Sequence, residues 1–384
     1  MSIVPDHLLA RTVNLLFNVG QAVNLPWVGL APAVQLPRSI FGDPGSLTRS
    51  TPEVRSELAA FQGDYRSALA TLASAVVSVP FANLLREASG PFLHPGRFAG
   101  AFPNERWLFV NGIATTRSIA AINADAVCEL FRRPVTVLYN RTEGITYDLL
   151  ESAAGKGFDA ITESVAANLD PLVDALCDPT VERVVVIAHS QGTIVTSALL
   201  KSLEEILDAS QPRQVKSGPG AQKPSPERMV AKKVTGQRTR QPANARRAVA
   251  KAAALLAPAH IGKLEVYSFA NCSTSMTPVV TLGPMPRHAP WLESYGNEFD
   301  GVARLGVLAP PHGIGSARIA GDRYRRAGMW GHLLNAHYLL PIQDDLRAGT
   351  NPPSTRLEPF SENLLRRPRL LDYLSGSVPA NPYP

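Results

Sequence analysis

Val184-Val185-Val186-Ile187-Ala188-His189-Ser190-Gln191-Gly192-Thr193 decides how this chain is read. Four consecutive β-branched residues suit a strand buried on both faces, as in parallel sheets. The stretch then passes through small and polar residues into a helical pattern over Thr193–Leu207. Working outward, Trp107–Val110 and Val135–Tyr139 predict two earlier strands, and Leu264–Phe269 and Leu292–Tyr295 two later ones. Helical periodicity lies between them, over 117–131 and roughly Tyr147–Cys177. Strands alternating with helices of this length predict an α/β fold: a mostly parallel sheet with helices on both faces.

Around this centre the sequence divides by composition. Residues 1–100 are punctuated by proline, with apolar residues at helical spacing in Leu58–Leu72 and Val76–Leu85, and predict a helical N-terminal extension. Residues 101–345 hold the α/β pattern, and 346–384 read as a C-terminal tail. Residues 209–247 break the rhythm. They are rich in Pro, Gly, Gln, Lys and Arg, cannot bury enough surface to offset ordering entropy, and read as a disordered basic insertion. Between Ala209 and Lys251 there are eleven Lys/Arg and one acid, Glu227. The other 27 basic and 31 acidic residues carry a net charge of about −4, so the overall +6 belongs to one segment.

Three cysteines, Cys128, Cys177 and Cys272, are widely spaced and odd in number, which gives no disulfide framework and suggests a reducing compartment. The opening residues lack a basic stretch followed by an apolar core, so no secretory signal is read. Thr12–Pro37 is uncharged but contains Gly20, Pro26, Gly29 and Pro32, a poor membrane span and a better packing segment. A cytoplasmic location is expected, with association to a membrane surface left open. No P-loop, no G-x-G-x-x-G and no metal-spaced Cys/His set appears, so no cofactor and no metal are expected.

Ser190 lies between the buried strand and the helix, flanked by Ala188 and Gly192. A tight turn there needs small neighbours, lifts the hydroxyl above the sheet edge, and aims a helix N-terminus at any developing negative charge. The pattern matches the nucleophile elbow G-x-S-x-G with alanine for the first glycine. On Ala188-His189-Ser190-Gln191-Gly192-Thr193 the chain resembles the α/β-hydrolase superfamily, particularly its lipase-like and esterase-like members, over roughly 104–345. That resemblance implies the chain order Ser, Asp, His. Asn297-Glu298-Phe299-Asp300-Gly301-Val302 is similar to the N-x-x-D-x-V segment that carries the acid in lipase-like hydrolases, which implies Asp300, with Glu298 and Asp322 as alternatives. For the base, His332 is preferred because Gly331 permits a loop there; His337 is the second choice, and His312 also follows Asp300. No clear strand precedes this loop. His189, as the neighbour in a tight elbow, is expected to point away from the hydroxyl. Position implies the backbone N–H groups of Ile113 and Gln191 as the oxyanion hole, with Asn111 bracing the first of these loops.

The expected activity is hydrolysis of a carboxylic ester, lipid-like or otherwise hydrophobic, through an acyl-enzyme on Ser190. The small-molecule acyl ester is the expected partner. A non-catalytic binding protein on the same fold is the alternative, because fold does not fix function. The basic insertion offers a third reading, weak contact with polyanions or a membrane surface. It holds no aromatic residue to stack on bases, so no specific nucleic acid is expected.

Overall fold

The computed structural model describes residues 39, 42, 57, 90–94, 98–112, 115, 117–140, 163–210, 243–278, 288–309, 316–347, 357–360 and 367–381. The strands of the main sheet are β1 (Gly90–His94), β2 (Glu105–Val110), β3 (Val135–Tyr139), β4 (Arg183–His189), β5 (Leu264–Phe269), β7 (Trp291–Asn297), β9 (Asp322–Arg326) and β10 (Leu357–Pro359). Two short strands, β6 (Ser275–Met276) and β8 (Arg318–Ile319), pair apart from it. The helices are α1 (Arg117–Phe131), α2 (Glu163–Cys177), α3 (Gln191–Ser210), α4 (Ala243–Leu255), α5 (Pro258–Ile261) and α6 (Leu340–Arg347). A π-helical turn over Leu334–Leu339 runs directly into α6.

The eight strands lie in the order β1-β3-β2-β4-β5-β7-β9-β10. All pairings from β3 to β9 are parallel, and only the edges, β1 on β3 and β10 on β9, are antiparallel. Alternation along β4 feeds two cores. Val184, Val186 and Ala188 pack beneath α2, α3 and α4, while Val185 and Ile187 face α1, the π-helical turn and residues 370–374. The fold is therefore α/β with helices on both faces of a mostly parallel sheet.

From β2 the chain adds β3 on one side, then crosses to β4 on the other. The strand order thus reverses between β2 and β4. Open α/β sheets bind their ligands in the crevice outside the carboxyl ends of the strands at such a reversal. Here those ends are Val110-Asn111-Gly112 and His189-Ser190.

Several boundaries differ from those the sequence suggests. The sheet begins before 101, with β1 in the region expected to be helical. Phe92 packs inward and Leu93 points out, a period of two, and Pro91 is tolerated because β1 is an edge strand. The stretch 209–247 is helical at both ends: α3 runs to Ser210, and α4 starts at Ala243 and buries Ala248, Val249 and Ala252. Lys251, counted with the basic segment, pairs with Asp170 and Asp174 of α2 at 3.0 and 2.6 Å. Residues 211–242, and 147–162 of the long expected helix, lie outside the described residues.

Nor is 346–384 an appended tail. After β10, a 3-10 helix over Arg369–Gly376 buries Leu370, Leu371, Tyr373 and Leu374. It also completes a buried ionic network at the amino ends of the strands. Arg133 is fully buried and pairs with Glu105 at 2.6 Å, its Nη atoms donating to the carbonyls of Phe131, Tyr373 and Ser377. Arg183 bridges Glu105 and Glu265 and donates to the Pro379 carbonyl. Glu265 also accepts from Arg369 and from the hydroxyls of Tyr267 and Tyr373. Glu293 accepts the amides of Arg369 and Leu370. Charges this deep are tolerable only when paired and hydrogen-bonded, as those of Glu105, Glu265, Arg133, Arg183 and Arg369 are. Glu293 has neutral donors instead, and burial pushes its carboxyl up to about 7.

Candidate active site

Ser190 stands at the carboxyl end of β4 with φ at +53°, a left-handed conformation uncommon outside glycine. Its neighbours hold it there. The Ser190 amide donates to the Phe269 carbonyl on β5 at 3.0 Å, and its own carbonyl accepts the Thr193 amide and hydroxyl at 2.8 and 2.6 Å. Small residues are required on both sides. Ala188 lies in register between Val110 and Ser268 and is fully buried. A Cβ at Gly192 would come within 2.4 Å of the Val110 carbonyl oxygen.

The Ser190 Oγ lies 2.9 Å from His332 Nε2. On the other side of that ring, Nδ1 lies 2.9 and 3.1 Å from the two oxygens of Asp300. Asp300 follows β7 and is fully buried. Its Oδ1 accepts the amides of Val302 and Ala303 at 2.8 and 3.3 Å, and its Oδ2 accepts the Tyr338 hydroxyl at 2.7 Å. Burial drives this carboxyl upward, but the His332 ring, its hydrogen bond, and the Tyr338 and Val302 donors outweigh that and hold it below the ordinary value. An ionised Asp300 fixes the proton of His332 on Nδ1, leaving Nε2 free to accept from the serine.

Three consecutive residues of the loop that bears His332 are each tied by one buried side chain. Asn297 Nδ2 donates to the Gly331 carbonyl at 2.9 Å. His189 Nε2 lies 2.8 Å from the His332 carbonyl. The Leu333 amide donates to His337 Nδ1 at 3.0 Å. Gly331 has φ at +92°, and a Cβ there would come within 2.5 Å of the His337 ring. His337 thus supports the loop from below while His332 reaches the serine.

Of the other candidates, Glu298 accepts the Gly328 amide and pairs with Arg325, at the sheet's edge. Asp322 opens β9 opposite Glu293, toward the amino ends of the strands. His312 and Ile113 lie outside the described residues. Gln191 begins α3 beside the serine, buried, with its Oε1 3.5 Å from Asn140 Nδ2. Asn111 braces the loop after β2: its Nδ2 donates to the carbonyls of Gly112 and Asn140, and its Oδ1 accepts the Asn140 amide. Burial pushes the nearby Cys272 thiol up to about 12, so it stays uncharged beside Thr193.

Tyr338 was not singled out from the sequence, nor were Asn297 and His337 as loop supports. β9, which does precede the loop, was missed because Asp322-Arg323-Tyr324-Arg325-Arg326 is nearly all charged and only Tyr324 is fully buried. Among the described residues, no group of three or more His, Cys, Asp or Glu side chains is placed to hold a metal ion. Among them, too, no helix is long and apolar enough to cross a membrane. Comparison with protein-family models, with curated proteins and with solved structures returned no match.

Proposed function

We propose that the protein is a serine hydrolase of the α/β-hydrolase type that cleaves carboxylic esters through an acyl-enzyme on Ser190. The observation that carries this reading is the hydrogen-bonded series Ser190–His332–Asp300 at the point where the strand order reverses. A serine hydroxyl is a poor nucleophile at neutral pH and needs a base within hydrogen-bond reach. His332 takes the proton from Ser190 as Oγ attacks the ester carbonyl, and Asp300 stabilises the imidazolium. The tetrahedral oxyanion is held by the Gln191 N–H, at the positive end of α3, and by the Ile113 N–H that the elbow pattern implies. His332 returns the proton to the leaving alcohol. Water then repeats the sequence on the acyl-enzyme and releases the acid.

A hydrophobic acyl ester is the substrate class that the uncharged stretch Thr12–Pro37 favours. The test is hydrolysis of p-nitrophenyl esters of rising chain length, together with labelling by a fluorophosphonate. Turnover and label are both expected in the wild type and absent from a folded Ser190→Ala variant. Turnover that survives Ser190→Ala sinks the assignment, and a folded wild type with neither turnover nor label leaves the binding-protein reading.

A further inference from the structure

Beside the Ser190–His332–Asp300 series lies a second buried histidine that the proposed chemistry does not use. His189 immediately precedes the serine, and its ring falls on the face of β4 that Val185 and Ile187 share. As expected for the neighbour in an elbow, it turns away from the hydroxyl. What it turns toward is the base: His189 Nε2 lies 2.8 Å from the His332 carbonyl oxygen. A carbonyl only accepts, so Nε2 carries the proton and Nδ1 is the bare nitrogen. The His189 and His332 rings lie 4.8 Å apart at 35°, and the Tyr338 ring meets His189 edge-on at 6.4 Å. On the far side, a Cβ added to Gly112 would come within 2.9 Å of His189 Nδ1. His189 therefore touches the backbone of the base on one side and the loop after β2 on the other.

We infer that His189 is a positioning residue that locks the His332 backbone against the nucleophile elbow, and that residue 112 is glycine to leave room for its ring. The inference rests on the hydrolase reading. His332 lies in neither strand nor helix, so no ladder of backbone bonds holds it; its two flanking peptides are held by side chains, the Gly331 carbonyl by Asn297, the Leu333 amide by His337 and the His332 carbonyl by His189, the one of the three that comes from the nucleophile elbow. Burial, then the nearby His332 and His337, hold the His189 imidazole at about 3, against the opposing pull of the His332 carbonyl and Asp300. At neutral pH it is thus a fixed, uncharged tautomer. It places no second cation beside the His332 imidazolium formed during turnover.

The test compares His189→Phe, His189→Gln and His189→Asn in the full chain. Phe keeps a ring and loses the donor; Gln carries an amide N–H that can reach the same carbonyl; Asn is too short. Misplacing a catalytic group by about 1 Å costs roughly a hundredfold. His189→Phe is therefore expected to lower kcat on an activated ester by about 10- to 100-fold with KM within about twofold, and His189→Gln to recover at least about tenfold of that loss. A second readout needs no turnover. The downfield proton resonance of the His332 Nδ1–H bond to Asp300 should be present in wild type and His189→Gln, and lost in His189→Phe. Wild-type kcat in His189→Phe, equal kcat in Gln and Phe, or an unchanged resonance would each overturn the inference. Should His189→Phe not fold, Gln against Asn decides in the same way: equal kcat overturns it. If the wild type neither hydrolyses esters nor takes the phosphonate, the hydrolase reading fails, and the resonance comparison still decides the positioning role.

Discussion

Asp300 is buried among four donors, and each does a separable part of holding its charge. The Tyr338 hydroxyl is the one that side-chain exchange removes cleanly. It donates to Asp300 and accepts from the Asn297 amide at 3.0 Å, so Tyr338→Phe loosens both. Hydrogen bonds to charged groups contribute about 1.5–3 kcal/mol. Tyr338→Phe should lose stability of that order in urea unfolding and lower kcat by roughly tenfold if Asp300 orients the base. His189 gives a pH signature. Its folded value of about 3 lies below its ordinary 6.5, so between those limits the unfolded chain binds one proton more and stability falls as pH falls. Above about 6.5 the difference vanishes. Unfolding free energies from urea titrations between pH 7 and pH 4 should decline more steeply in wild type than in His189→Gln, by up to about 1.4 kcal/mol per pH unit. At this scale much was legible. Ser190, Asp300 and His332 were singled out from the sequence, and the fold brings them into one hydrogen-bonded series. Tyr338 and the bond from His189 were not legible, because each depends on how the π-helical turn meets the end of β4, and no local pattern encodes that meeting.

At the scale of elements, the strands with apolar runs were found and those without were missed. β4 and β5 are buried on both faces and advertise it; β9 is shielded by β10 and by long arginine side chains, and reads as a charged loop. The π-helical turn behind His332 offers a further test. Two amides of its first turn, those of Asn335 and Ala336, donate to Glu57 Oε2 at 3.0 and 3.3 Å. Glu57 belongs to the first hundred residues, whose role the sequence left undefined. Here it is buried and caps the helix that follows the loop bearing His332. Glu57→Ala leaves both amides without that acceptor, at roughly 1–3 kcal/mol each, whereas Glu57→Gln retains an acceptor oxygen. Urea unfolding should therefore rank wild type, Glu57→Gln and Glu57→Ala in falling order of stability. Equal midpoints for Ala and Gln would show that the cap contributes nothing.

On the scale of the whole molecule, the segment read as an insertion and the one read as a tail are expected to behave in opposite ways. Deleting 211–242 and joining Ser210 to Ala243 by a Gly/Ser linker should shift the melting temperature by only a few degrees, since loop length costs about 0.6 kcal/mol per doubling. Truncation after Arg367 should abolish cooperative melting. It strips donors from Glu265 and Glu293 and acceptors from Arg133 and Arg183, and breaking a buried pair costs about 3–5 kcal/mol. Charge in 346–384 gave no hint of this, because Arg369 reads as a surface residue until its partners, up to 104 positions earlier, are known. The same network sets an order of events during synthesis. β2, β4 and β5 leave the ribosome carrying Glu105, Arg183 and Glu265, yet the groups that complete their pairing arrive only with residues 369–379. A nascent chain can therefore collapse around its apolar strands, but the domain is finished only once residues 369–379 have been made.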